Sequence, residues 1–203
     1  MNFKVENARV YGLNESVIAS GNPMRSEMED KAAQPTEKQM TRGGKLGSTG
    51  SGEGHDQFLT GIIVQFDIYA PLFMWKEIQR YHFLDFVSSQ STMHRLAKLA
   101  GDSVASRCVD DVDPQIVARY DELLAQYNEG TPTDEGRTEL WRTLIASLPS
   151  GFILGATMTT NYRQLKTIYQ QRKNHKLKEW HQFCDWCETL PHFCELTGVT
   201  KTA

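Results

Sequence analysis

Apolar and polar residues alternate loosely over residues 3–11, with Val5, Val10 and Tyr11 in the pattern, which predicts a strand. Residues 15–19 fit either a second strand or a short helix. From about 21 to 54 the pattern lapses into polar residues interspersed with Gly43, Gly44, Gly47, Gly50, Gly52 and Gly54, which predicts a long flexible loop, serving as a lid or as a linker. Residues 58–69 are rich in β-branched side chains and read as a central strand. Pro71 then suits a helix start, and Leu72, Trp75, Ile78 and Gln79, Phe83 recur at helical spacing, which predicts a helix over about 71–86. The hydroxyl-rich run 88–92 predicts a break, because short hydroxyl side chains compete for backbone hydrogen bonds.

Further helices are predicted over about 93–100, 114–128 and 138–146, the last closed by Leu148, Pro149 and Gly151. A short apolar segment at 152–158 leads into a helix beginning at Asn161, and a final helix covers about 176–188, stopped near Pro191. In the Asn161 helix, steps of four, three and four put Asn161, Leu165, Ile168 and Arg172 nearly on one line. That line is half apolar and half polar. It fits a helix bordering a polar ligand, or an Asn at a helix start and a surface Arg at its end.

Size and charge narrow the picture. A chain of 203 residues has room for one substantial core, and one domain is expected. The net charge of -3 gives no global attraction to a nucleic-acid polymer, so any anion site must be local. No apolar run approaches the roughly 20 residues of a membrane helix, and the N-terminal residues lack the apolar core of a secretion signal, so no membrane association and a cytoplasmic location are expected. The glycine-rich stretch lacks the spacing of a phosphate loop. Cys184 and Cys187 have zinc-like spacing near His181, His192 and Cys194, but without a second pair; reduced, partly buried thiols are favoured over a metal.

Four separated segments resemble the flavin-dependent thymidylate synthases. Leu148-Pro149, an apolar run, then Asn161, Arg163, Arg172 and Glu179-Trp180 are similar in order and spacing to that family's Leu-Pro, Asn-x-Arg and Arg array. Gly54-His55-x-x-Phe58 is similar to its Gly-His segment, one residue shorter. Ala70-Pro71-x-Phe73 is similar to the entry of its flavin-contacting helix. The segment 80–91 falls where the family carries Arg-His-Arg followed by Ser, Asn, Glu and Ser. Aligning His82 with the central His puts Ser88, Ser89 and Ser91 on the later motif but places Tyr81 and Phe83 where arginines are expected; aligning Arg80 with the first Arg keeps that charge and loses the rest.

The resemblance implies an α+β fold, an antiparallel sheet with long helices, in a divergent member that moves a one-carbon unit from methylenetetrahydrofolate to C5 of dUMP, with FAD reduced by NADPH, as a homotetramer. It places His55, Arg80, His82, Asn161, Arg163 and Thr167 at the flavin. Ser88, Ser89, Ser91, Arg95, Arg142 and Arg172 would serve the nucleotide, with Arg172 and Ser91 nearest the chemistry. Ser91 need not be a nucleophile, since the flavin activates the substrate. Arg142 is displaced by about one helical turn from the family's position. Losing two or three phosphate cations at about 1.5–3 kcal/mol each would abolish micromolar binding unless Arg80, Arg95 or Arg142 substitutes. Two alternatives follow from the altered motif: an enzyme acting on another pyrimidine nucleotide or giving another one-carbon product, and a scaffold that has lost its flavin.

Overall fold

The computed structural model describes residues 2–30, 34–50, 52–96, 102–130 and 132–200. Four strands, β1 (Lys4–Tyr11), β2 (Ile63–Pro71), β3 (Asp85–Ser89) and β4 (Ile153–Asn161), form one antiparallel sheet in the order β1-β2-β4-β3. The helices in chain order are α1 (Leu13–Ala19), α2 (Glu37–Gly47), α3 (Leu72–Ile78), α4 (Thr92–Leu96), α5 (Pro114–Glu129), α6 (Asp134–Ala146), α7 (Tyr162–Arg172), α8 (Lys178–Glu188) and α9 (Phe193–Thr197). The α+β class expected from the sequence is therefore the one observed. No described helix is long and apolar enough to cross a membrane.

Contacts divide the chain into two compact units. The first comprises Met1–Lys4, Ile68–Arg80 and Ser88–Ala156. Its core gathers Val104, Cys108, Tyr120, Leu123, Leu124, Leu144 and Phe152. Asp113 caps α5 by accepting from the Gln115 N–H, with Pro114 at the first helical position where its missing N–H costs nothing. The start of α3 is tied down by two backbone bonds, Leu72 N–H to the Phe152 carbonyl and Phe73 N–H to the Ser150 carbonyl, each 3.0 Å.

The second unit comprises Val5–Asp67, Tyr81–Val87 and Thr157–Ala203. Its core is built from Val17 and Ile18 of α1, Val64 and Phe66 of β2, Leu165 and Ile168 of α7, and Trp180 and Phe183 of α8, all 2% exposed or less. On its sheet, Asp67 Oδ1 accepts from Thr157 Oγ1 at 2.5 Å and Oδ2 from Asn7 Nδ2 at 2.8 Å. These bonds, Thr157 first, hold the Asp67 carboxyl below its ordinary value of 3.8. A group whose folded pKa is depressed stabilises the fold above its unfolded pKa and loses that contribution as pH falls through the folded value. Thr157→Val should therefore cost about 1 kcal/mol at neutral pH, with the gap to wild type closing as denaturation is followed below the ordinary carboxylate range.

Several boundaries differ from the sequence expectations. The 21–54 segment is not a continuous loop: it contains a 3₁₀ turn at Asn22–Met24 and all of α2. Thr36 Oγ1 accepts from the Gln39 N–H at 3.3 Å while Gln39 Oε1 accepts from the Thr36 N–H at 2.7 Å, a reciprocal capping box. The helix predicted over 71–86 ends at Ile78, and the residues after it turn into β3, so the hydroxyl run lies partly in a strand. Residues 55–61 form a 3₁₀ helix ahead of β2 rather than the start of the strand. Residues 15–19 resolve as helix, and the 152–158 segment as β4. Of the helix expected over 93–100, residues 97–100 lie outside the described residues.

Candidate functional site

The second unit carries a cleft of about 480 Å³, within the size range of small-molecule sites. One wall is the first turn and a half of α7, which presents Asn161, Arg163, Gln164 and Thr167. Asn161 is the helix cap; its side-chain oxygen accepts from the Gln164 N–H at 2.9 Å, which fixes the amide at the cleft edge. The 3₁₀ helix His55–Gly61 supplies Gln57, and the turn before β3 supplies Phe83. Arg163 is the only charged group among the described residues lining the cleft, so the local field there favours an anion or a ring rich in carbonyls.

Arg163 is held by a buried ionic cluster. Its Nε lies 3.0 Å from Asp56 Oδ1, and its Nη1 donates to Gln57 Oε1 at 2.8 Å. Asp56 Oδ2 accepts from Lys166 Nζ at 3.1 Å, and Lys166 also donates to the carbonyls of Gly47 and Thr49, each at 2.7 Å. Asp56 and Lys166 are each 2% exposed, and all three ammonium protons have acceptors, which is what burial of such a charge requires. The cluster ties α7, the end of α2 and the 3₁₀ helix together. It also leaves one positive charge in excess beside the cleft.

At the other end of α7, Arg172 is half-buried against two aromatic rings. Its guanidinium carbon sits 4.7 Å from the Trp180 ring centre and 5.4 Å from that of Tyr81. Nε donates to the Tyr81 hydroxyl at 2.6 Å, and that hydroxyl donates to Gln171 Oε1 at 3.1 Å. The half-polar stripe thus separates into parts: Asn161 caps the helix, Leu165 and Ile168 are fully buried core, and Arg172 is an arginine clamped by aromatics.

The structure gathers Asn161, Arg163 and Thr167 of the predicted residues in this cleft. His55, exposed, begins the 3₁₀ helix, and His82, exposed, lies in the turn beside Phe83; neither lines the cleft. Arg80, Ser88, Ser89, Ser91 and Arg142 belong to the first unit, where Arg80 and Arg142 are exposed, Ser88 and Ser89 lie on β3 and Ser91 is half-buried. Arg95 is on α4, but its side chain lies outside the described residues. Asp56, Gln57, Phe83 and Lys166 are absent from the sequence expectations as site residues. The one signal that marked any of them is a lysine at position 166, next to the apolar Leu165 and Ile168, where a solvated charge is out of place.

Cys184 and Cys187 are buried on α8, and burial raises both thiols, Cys184 to about 12. Such thiols stay protonated and unreactive at neutral pH. Among the described residues no three or more His, Cys, Asp or Glu side chains come together as a metal site.

No family model matches the sequence, and no curated protein matches it. Solved structures do. A flavin-dependent thymidylate synthase ThyX from Helicobacter pylori, complexed with FAD and dUMP, superposes with a TM-score of 0.70 over 97% of each chain at 16% identity. A second structure of thymidylate synthase X from Helicobacter pylori, also with FAD and dUMP, gives a TM-score of 0.72 with the same coverage and identity. The UMP/dUMP methylase PolB from Streptomyces cacaoi, bound with 5-Br dUMP, gives 0.61 over 96% of this chain and 91% of that one, again at 16% identity. The chain has the fold of the flavin-dependent thymidylate synthases.

Proposed function

We propose that this chain is a flavin-dependent methylase of a pyrimidine nucleotide, with dUMP as substrate and FAD as cofactor. The observation that carries the reading is the coincidence of that fold with a cleft whose wall presents Asn161, Arg163 and Thr167, the residues that the sequence resemblance assigns to a flavin. The donor set suits the group. A flavin ring offers carbonyl oxygens and ring nitrogens along its edge, and Arg163, Asn161, Gln57 and Gln164, which line the cleft, carry side-chain N–H groups of the kind that donate to such an edge.

When bound, the flavin supplies the electron pair that reduces a transferred one-carbon unit to a methyl group. The chain's own task is to bind and orient. Arg163, braced by Asp56, fixes a carbonyl or anionic edge without having to be ordered on binding, because its rotamer is already set. Arg172, clamped on Trp180 and Tyr81, is the nucleotide-binding arginine of this reading, its fork suited to a pyrimidine edge or a phosphate. The sequence resemblance further assigns Ser88, Ser89, Ser91, Arg95 and Arg142 to the nucleotide and His55, Arg80 and His82 to the flavin, and the same reading includes methylenetetrahydrofolate and NADPH as co-substrates, a homotetramer as the assembly and the cytosol as the location.

A second reading has its own support. PolB, described as a UMP/dUMP methylase, shares the fold, so a ribonucleotide such as UMP is the competing substrate. Tritium release from 5-tritiated dUMP and 5-tritiated UMP, with methylenetetrahydrofolate and NADPH present, decides between them. Release from dUMP alone supports the first reading, release from UMP supports the second, and none from either contradicts both. In the same assay Arg172→Ala should lower nucleotide affinity by at least about tenfold, the loss of one charge-assisted contact, with little change in melting temperature.

A further inference from the structure

We propose that Phe83 is a stacking platform for a planar, carbonyl-bearing heteroaromatic ring in the α7 cleft, a role that rests on the ligand-binding reading given above for that cleft. Phe83 adopts φ 59°, the left-handed region that an aromatic residue rarely enters. Burial of the side chain does not compensate: Phe83 as a residue is 68% exposed, so burial returns little for the strained backbone.

The conformation is nonetheless over-determined by its surroundings. The Phe83 carbonyl accepts from Thr160 Oγ1 at 2.7 Å, and Thr160 is only 4% exposed. On one side Tyr81 is fixed against Arg172 and Trp180, and on the other Leu84 is 5% exposed in the core. With both flanks anchored, the turn cannot relax, and the ring is directed to the cleft that Asn161, Gln57 and Arg163 line. The arrangement provides one aromatic face and several edge donors. A ring seated there stacks on Phe83 while its carbonyl oxygens accept from the polar wall, which is how a site selects a flat heteroaromatic over a flexible anion. Isoalloxazine and pyrimidine rings share this chemistry.

The full chain is titrated with FAD, riboflavin and dUMP, for wild type and for Phe83→Leu, Phe83→Gly and Phe83→Trp. Phe83→Leu and Phe83→Gly should weaken at least one ring ligand by about tenfold or more, the loss of a stacking contact, while Phe83→Trp retains it. Loss shared by FAD and riboflavin identifies the isoalloxazine ring, and loss confined to dUMP identifies the pyrimidine. Phe83→Gly should also melt at or above the wild-type temperature, since glycine accepts φ 59° without strain. Unchanged affinities in Phe83→Leu and Phe83→Gly, or a marked drop in the melting temperature of Phe83→Gly, overturn the role of Phe83 and leave the functional reading standing. A wild type that binds neither flavin nor dUMP overturns both together.

Discussion

Asp56→Ala should destabilise the unit that contains α7 by about 3–5 kcal/mol, the cost of leaving a buried charge without its partner. Lys166 has an exposure of 2% and cannot reach water without moving α7, so its ammonium would remain against the Gly47 and Thr49 carbonyls with its counter-charge gone. Arg163 would lose its brace in the same step. Lys166→Met in the Asp56→Ala background should recover part of the loss, because replacing a buried ion pair by apolar groups of similar volume is close to neutral whereas breaking it is not. Equilibrium denaturation of the two single variants and the double variant measures this directly. Additive losses would show that the pair does not interact.

Gly47→Ala comes next in expected effect. In an exposed helix the change would stabilise by about 0.5–1 kcal/mol, because glycine forfeits more backbone entropy than alanine. Here a Cβ on Gly47 would lie 1.8 Å from the Leu196 carbonyl oxygen, and backbone cannot step aside as a side chain can. The clash wins, and the expected loss is about 3 kcal/mol or more. The neighbouring glycines grade the effect: at Gly44 the nearest atom is the Glu195 carbonyl oxygen at 2.9 Å, and at Gly43 it is a Leu196 methyl at 3.1 Å. Melting temperatures should therefore fall in the order Gly43→Ala, Gly44→Ala, Gly47→Ala, with the first near wild type. Equal temperatures across the series would refute the close approach of α2 to α9.

These glycines also explain where the sequence was hard to read. Gly43, Gly44 and Gly47 look like loop residues because their purpose is a contact with residues 195–196, about 150 positions further on, and no local pattern encodes that. Thr36 and Gln39 spell the capping box that starts α2, a local signal that the reading of 21–54 as a loop passed over. The α7 and α5 helices were readable because cap, apolar spacing and end residues agree there. The helix expected to continue to residue 86 stops at Ile78 because the Thr160 bond and the buried Leu84 shape the turn, both of them tertiary effects.

The site divides in the same way. Asn161, Arg163 and Thr167 were picked out because the Asn-x-Arg segment that carries the family resemblance lies on one element and can be carried over residue by residue. Asp56 and Phe83 were not, since each matters through a partner brought from a distant segment, Lys166 for one and Thr160 for the other. Arg172 was marked by its place on the stripe, but its clamp needed Tyr81 from across the fold, in a position where the sequence resemblance expects an arginine.

The proposed flavin site along α7 is tested most directly by the visible spectrum of the purified chain after addition of FAD and removal of unbound cofactor. Stoichiometric flavin absorption that is lost on Arg163→Ala, with the fold retained by circular dichroism, is the predicted result. A colourless protein that does not take up FAD, or a flavin that stays bound when Arg163 is removed, contradicts it.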